Sequence, residues 1–112
     1  MPLLTIKTNI EIDNAKDLAL AASKKISEML GKPENYIMVN VMPEQALIFA
    51  GTDAGAAFVE LKSLGLPESS TAVFSNSLCE LINQQLGIDE SRIYIEFSNP
   101  ERHMWGWNGA TF

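Results

Sequence analysis

Cysteine and histidine are almost missing from this chain of 112 residues, with Cys79 and His103 each alone of its kind. One thiol excludes an intrachain disulfide and any zinc site built on cysteines, and one imidazole cannot form a histidine cluster, so no metal site and no dithiol chemistry is expected. Positive charge is also scarce. Eight Lys and Arg against fourteen Asp and Glu give a net charge of −6 at pH 7. No basic run is present to neutralise successive phosphates, so nucleic acid is not an expected partner. Apolar runs are short, well below the about 20 residues a bilayer span needs. The opening MPLLTIKTN has no charged segment leading into an apolar one, as a secretory leader would. A cytoplasmic protein without a membrane partner is expected, and nothing in the residues marks a route of export.

What is present suits one globular domain over 1–112: 46% hydrophobic and 20% charged residues in a length typical of a single core. An extended apolar segment at 2–7 precedes a helical pattern from about Asp13 to Leu30 and a strand-like run Tyr36–Met42. The helix sets Leu18, Ala22, Ile26 and Met29 on one side and Lys16, Lys24, Lys25 and Glu28 on the other. Asp13 is the expected N-cap, and Gly31 with Pro33 ends the helix. The second half repeats the order with a strand at Ala57–Leu61, a helix from about Ser70 to Leu86 carrying Phe74, Leu78, Leu81, Ile82 and Leu86, and a strand at Ile93–Phe97. Ser69 or Ser70 would cap that helix. An offset of 56 carries Gly31 onto Gly87, and Ile37, Val39 and Val41 onto Ile93, Ile95 and Phe97. The fold class is therefore α+β, with half-repeats at about 2–56 and 57–112, each a βαβ unit.

Right-handed crossovers would place both helices on one face of a four-stranded sheet and leave the other face bare. Alternation assigns Pro2, Leu4, Ile6, Tyr36, Met38 and Tyr94 to that bare face, an apolar set best covered by a partner subunit. Leu47–Ala50 and the stretch around Trp105–Trp107 are candidates for short edge strands.

A few residues bear on chemistry. Loss of the initiator Met ahead of Pro2 would expose a secondary amine at the start of a strand. An ordinary α-amino group has a pKa of about 7.7–8.0 and is largely protonated at neutral pH. An apolar pocket and a nearby cation such as Lys32 would lower it. Lys32 itself suits either a helix C-terminal cap or a carboxylate clamp. Lys62-Ser63-Leu64-Gly65 ends a strand with backbone N–H groups suited to an anionic oxygen. Trp105, Trp107 and Phe112 bring three of the nine aromatics into the last eight residues, enough to wall a pocket for a flat substrate. His103 lies with the polar run Asn99-Pro100-Glu101-Arg102, read as an exposed loop, and no catalytic role is assigned to His103.

In this order, Met1-Pro2, Thr8-Asn9, Gly31-Lys32-Pro33, Tyr36-Ile37, Ser63-Leu64-Gly65, Arg92-Ile93-Tyr94-Ile95, Gly106-Trp107-Asn108 and Thr111-Phe112 resemble the tautomerase superfamily along the whole chain. The closer resemblance is to the macrophage migration inhibitory factor family, and the composition is more similar to its bacterial members than to vertebrate cytokines. The resemblance implies a homotrimer whose sheets wrap a central channel. It also implies a cofactor-independent keto–enol tautomerase for small aromatic α-keto acids such as phenylpyruvate. Pro2 would be the general base and acid at a pocket between subunits. Lys32 and the Leu64 N–H, beside Ser63, would bind carboxylate or enolate oxygens, and Tyr36, Tyr94, Trp107 and Phe112 would form the walls with Trp105.

The chain also departs from the family. Glu96 stands where vertebrate members carry asparagine, on the strand that approaches the neighbour's pocket. A carboxylate there would oppose an anionic substrate and hold Pro2 protonated. Ala56 and Val59 replace the family's Cys-x-x-Cys element, which removes thiol oxidoreductase activity. Two alternatives stay open: a weakly active or non-enzymatic trimeric binding or signalling protein, and hydration or dehalogenation of an unsaturated acid. The second normally uses a pair of cations, and no second cation is evident beside Lys32.

Overall fold

The computed structural model describes residues 1–112. In chain order the elements are β1 (Leu3–Thr8), α1 (Ala15–Leu30), β2 (Met38–Met42), β3 (Ala57–Lys62), α2 (Thr71–Leu86), β4 (Ile93–Ser98), and a terminal pair, β5 (Gly106–Trp107) and β6 (Ala110–Thr111). The four long strands form one mixed sheet in the order β2-β1-β3-β4. β1 runs parallel to β2 and β3 parallel to β4, while β1 and β3 join the halves antiparallel. Each half is thus a βαβ unit, and the two meet through their first strands.

The core lies between the sheet and the helices. Leu18, Ala22 and Ile26 of α1, and Phe74, Leu78, Leu81 and Ile82 of α2, bury the helical stripes against Leu4, Ile6, Val59, Leu61 and Ile93. Removing such apolar surface from water is the main favourable contribution to folding. This corrects the assignment of Leu4 and Ile6 to the bare face: both are fully buried beneath the helices, and Pro2 is buried too. The strand reading was one residue out of phase on β1, which turns every side chain over. Met38 and Tyr94 do lie on the uncovered face and are about two-thirds exposed. That face is more polar than expected. Register aligns Thr5 with Asn40 on one side and Glu60 on the other, and Glu60 with Glu96. Lys7 Nζ pairs with Glu60 at 3.4 Å.

Local expectations shift at the ends. Asn14, not Asp13, caps α1: its Oδ1 accepts from the Asp17 N–H, and its Nδ2 donates to the Asp17 carboxylate at 2.9 Å. Ser70 occupies the cap position of α2 without a side-chain hydrogen bond, because a 3₁₀ turn over Glu68–Ser70 leads directly into the helix. Tyr36 belongs to a 3₁₀ turn, Glu34–Tyr36, rather than to β2. Leu47–Ala50 forms no strand. It carries only an isolated bridge between Phe49 and Thr52. The C-terminal strands form a hairpin over Asn108-Gly109, both with positive φ as a tight two-residue turn requires.

Candidate active site

A cavity of about 660 Å³ opens where the chain start, the end of α1, the end of β3 and the C-terminal hairpin converge. Its lining includes Met1, Lys32, Tyr36, Leu64, Trp107 and Phe112. A smaller apolar recess of about 250 Å³ adjoins it, bounded by Pro2, Met38, Trp105 and again Tyr36 and Trp107. Pro2 precedes β1, where a residue without an N–H leaves no ladder bond unmade. Its carbonyl accepts from the Met38 N–H at 3.0 Å, which fixes the chain start against β2.

Lys32 follows the left-handed Gly31 that closes α1. Its backbone is held by the Ser27 hydroxyl, which donates to the Lys32 carbonyl at 2.6 Å. Its Nζ does not turn back onto the helix end, as a dipole cap would. It crosses to the end of β3 and donates to Ser63 Oγ at 2.9 Å and to the Leu64 carbonyl at 2.7 Å. Two of the three ammonium hydrogens are thereby used to orient the group, and the third can meet the chain-start amine or a ligand.

The turn after β3 is set by Gly65, at φ 67°, whose N–H donates to Asn99 Oδ1 at 3.1 Å. The neighbouring Leu64 N–H has no partner within the chain, so a donor stands free beside the Lys32 ammonium. Burial, then the charge of Lys32, then its hydrogen bond hold the amino group of Met1 below the ordinary α-amino range. The chain start is therefore a place where an amine loses its proton more readily than in water.

Aromatic side chains form the other wall. Tyr36 meets Trp107 edge to face with centroids 6.3 Å apart, and Trp107 stacks on Phe112 at 6.4 Å with planes 15° apart. Trp105 lines the smaller recess rather than the main cavity. Tyr94 and Glu96 are on neither wall. Tyr94 packs on Phe49 at 4.8 Å on the uncovered side of the sheet, and Glu96 is exposed on that same face. Within one chain, then, Lys32, Leu64, Tyr36, Trp107 and Phe112 are brought together, with Ser63 behind them. Trp105 and Pro2 sit next door, and Tyr94 and Glu96 sit apart.

Asn99, Pro100, Glu101 and Arg102, the polar run ahead of His103, also line the main cavity, while His103 does not. Arg102 is a second cation lining the same cavity as Lys32, its guanidinium lying 5.7 Å from the centre of the Phe112 ring. The signal in the sequence was weak: a charged run set between a strand end and an aromatic cluster. No group of three or more His, Cys, Asp or Glu is placed to hold a metal ion. No helix is long and apolar enough to cross a membrane.

The family model for macrophage migration inhibitory factor (MIF) matches residues 1–112. A macrophage migration inhibitory factor homologue of Trichuris trichiura is 39% identical, with the whole of both chains aligned. The factor of Xenopus laevis is 32% identical over all of this chain and 99% of its own. Among solved structures, the homologue from Prochlorococcus marinus superposes with a TM-score of 0.93 at 38% identity, covering 98% of each chain. The Trichinella spiralis structure gives 0.93 at 36% identity over 98% of this chain and 99% of its own.

Proposed function

This chain belongs to the macrophage migration inhibitory factor family, and from that premise we propose that it is a keto–enol tautomerase for phenylpyruvate-like α-keto acids. Its base is the amine of Pro2, freed by removal of Met1. The observation that carries this reading is that the chain start, where burial and Lys32 lower the proton affinity of the Met1 amine, meets an oriented lysine ammonium and a free N–H at one aromatic-walled cavity.

The reaction moves one proton and needs no cofactor. In the keto form, neutral Pro2 nitrogen takes a proton from the carbon between ring and carbonyl, and the electron pair moves to the carbonyl oxygen. The Lys32 ammonium and the Leu64 N–H donate to that oxygen as charge builds on it. The resulting prolinium returns its proton to oxygen, giving the enol, and the reverse sequence gives the ketone. Tyr36, Trp107 and Phe112 hold the ring.

The working form on this reading is a cytoplasmic homotrimer, in which Met38, Tyr94 and the rest of the uncovered sheet face are covered and Tyr94 and Glu96 approach a neighbour's cavity. A second reading, a binding protein of little activity, is favoured by one residue: the Glu96 carboxylate would oppose an anionic substrate there.

Two measurements test the proposal. Intact mass should show the chain without Met1. Pro2→Gly, which keeps an amine but alters its basicity and placement, should lower kcat/KM for phenylpyruvate about 100-fold, the lower end of what a positioned base contributes. Full activity in that variant, or no turnover by the wild-type protein, would sink the reading.

A further inference from the structure

The unused group in this cavity is Arg102. A 3₁₀ turn over Arg102–Met104 fixes its backbone, the Arg102 carbonyl accepting from the Trp105 N–H at 3.2 Å. Its guanidinium rests over Phe112, which stacks in turn on Trp107. No carboxylate comes within ion-pair distance of it, and it donates no side-chain hydrogen bond in the chain. The adjacent Glu101 turns instead to His103 Nδ1 at 3.3 Å, and both of those side chains are largely in water. By contrast, the chain's other structured arginine, Arg92, donates to the carbonyls of Phe49, Thr52, Ala54 and Gly55. Arg102 therefore keeps five donors free at the cavity wall, held on an aromatic platform, and a planar fork of that kind matches a carboxylate bidentately.

Position decides which part of a ligand it meets. Lys32 is tied to Ser63 and Leu64 beside the chain start, whereas Arg102 is tied to the aromatic wall. Both cations line the same cavity, and a flat acid lying against Trp107 and Phe112 with one acid group at Lys32 has Arg102, over Phe112, as the other cation on that wall.

We propose that Arg102 is a second anion-binding group of this cavity and selects aromatic acids that carry an acidic group at each end. This rests on the reading of the cavity as the substrate site and names the class of substrate that site prefers.

The test compares two unreactive probes, 4-carboxyphenylacetate and phenylacetate, titrated into the whole protein and followed by tryptophan fluorescence. Wild type should bind the doubly charged probe about tenfold more tightly, as one charge-assisted pair at a partly wet site allows. Arg102→Ala should bring the ratio to about one, and Arg102→Lys, which keeps the charge without the fork, should leave it between the two. Equal affinities in wild type, or a preference that survives in Arg102→Ala, would overturn the assignment. Phenylpyruvate turnover is read separately. A protein that shows the preference but no turnover contradicts the tautomerase reading and leaves Arg102 standing, while turnover without the preference removes Arg102 alone.

Discussion

Both half-repeats leave their helix through the same backbone device. Gly31 and Gly87 adopt left-handed φ values of 63° and 68°, and each donates its N–H to the carbonyl four residues back, Ser27 and Asn83. The side chains of those same two residues then donate to the carbonyl of the residue after the glycine, Ser27 to Lys32 and Asn83 to Ile88. From there the halves part. Ile88 turns inward and is buried in the core, whereas Lys32 turns along the sheet end and reaches Ser63 and Leu64. One framework, duplicated, closes the core with one copy of a position and arms the cavity with the other.

The segments that follow the second strands differ in the same way. After β2, residues 43–56 are tied down by polar side chains. Asn9 Nδ2 donates to the carbonyls of Leu47, Asp53 and Ala54, its Oδ1 accepts from the Ala56 N–H, and Arg92 holds the rest. After β4, residues 99–112 are held mainly by stacked rings and a short hairpin, and they stay open enough to wall a cavity. Polar clasping of main-chain carbonyls makes a loop structural. Aromatic stacking leaves polar groups such as Arg102 free to meet a ligand.

Exchanging the paired residues breaks this division most strongly. Ile88→Lys would place an ammonium in the core and should destabilise the protein by about 3 kcal/mol or more in urea unfolding. Lys32→Ile, the converse, should cost little stability and lower kcat/KM for phenylpyruvate about 100-fold, the effect of losing one donor to a developing oxyanion. A smaller contrast separates the clasps. Asn9→Ala should cost about 2 kcal/mol, because several main-chain groups lose their partner together, and Asn99→Ala about 0.5 kcal/mol, because one exposed bond is lost.

A pH profile sharpens the catalytic side. On the proposed reading the Pro2 amine must be neutral, so kcat/KM should rise with pH and level off, with its midpoint below that of a free prolyl peptide. In the chain that keeps Met1, the lowered pKa of its amine means that the unfolded chain binds more protons in that window, so stability should fall as pH drops from the ordinary value through the lowered one. The smallest effect concerns Cys79 on α2, the counterpart of Ser23 on α1. Burial, and then the charge of Glu90, push its thiol up, so alkylation at pH 8 should run more slowly than for free cysteine.

Much of this was legible in the residues. The helical stripes, the two glycine stops and the offset of 56 gave the βαβ pair, because burial and backbone geometry write themselves into local spacing. Lys32, Tyr36, Leu64, Trp107 and Phe112 were singled out before any coordinates and share one cavity. The face of β1 was misread, because Pro2-Leu3-Leu4 is apolar on both sides and alternation has no phase there. Arg102's place on the cavity wall is not legible in the residues, because the cavity is assembled from distant segments, the chain start, the end of α1, the turn after β3 and the hairpin, and a polar run does not announce that. Tyr94 and Glu96 cannot be joined to the site by any reading of one chain, since their strand faces away from its cavity.

The proposed function turns on the Pro2 nitrogen holding its proton, beside Lys32, less tightly than a free prolyl amine does. Its most direct test is a ¹⁵N NMR titration of the Pro2 amine in the processed protein and in Lys32→Ala. The account predicts a midpoint clearly below that of a free prolyl peptide, moving up toward the peptide value when the lysine charge is removed. A midpoint equal to the free peptide in both proteins would contradict it.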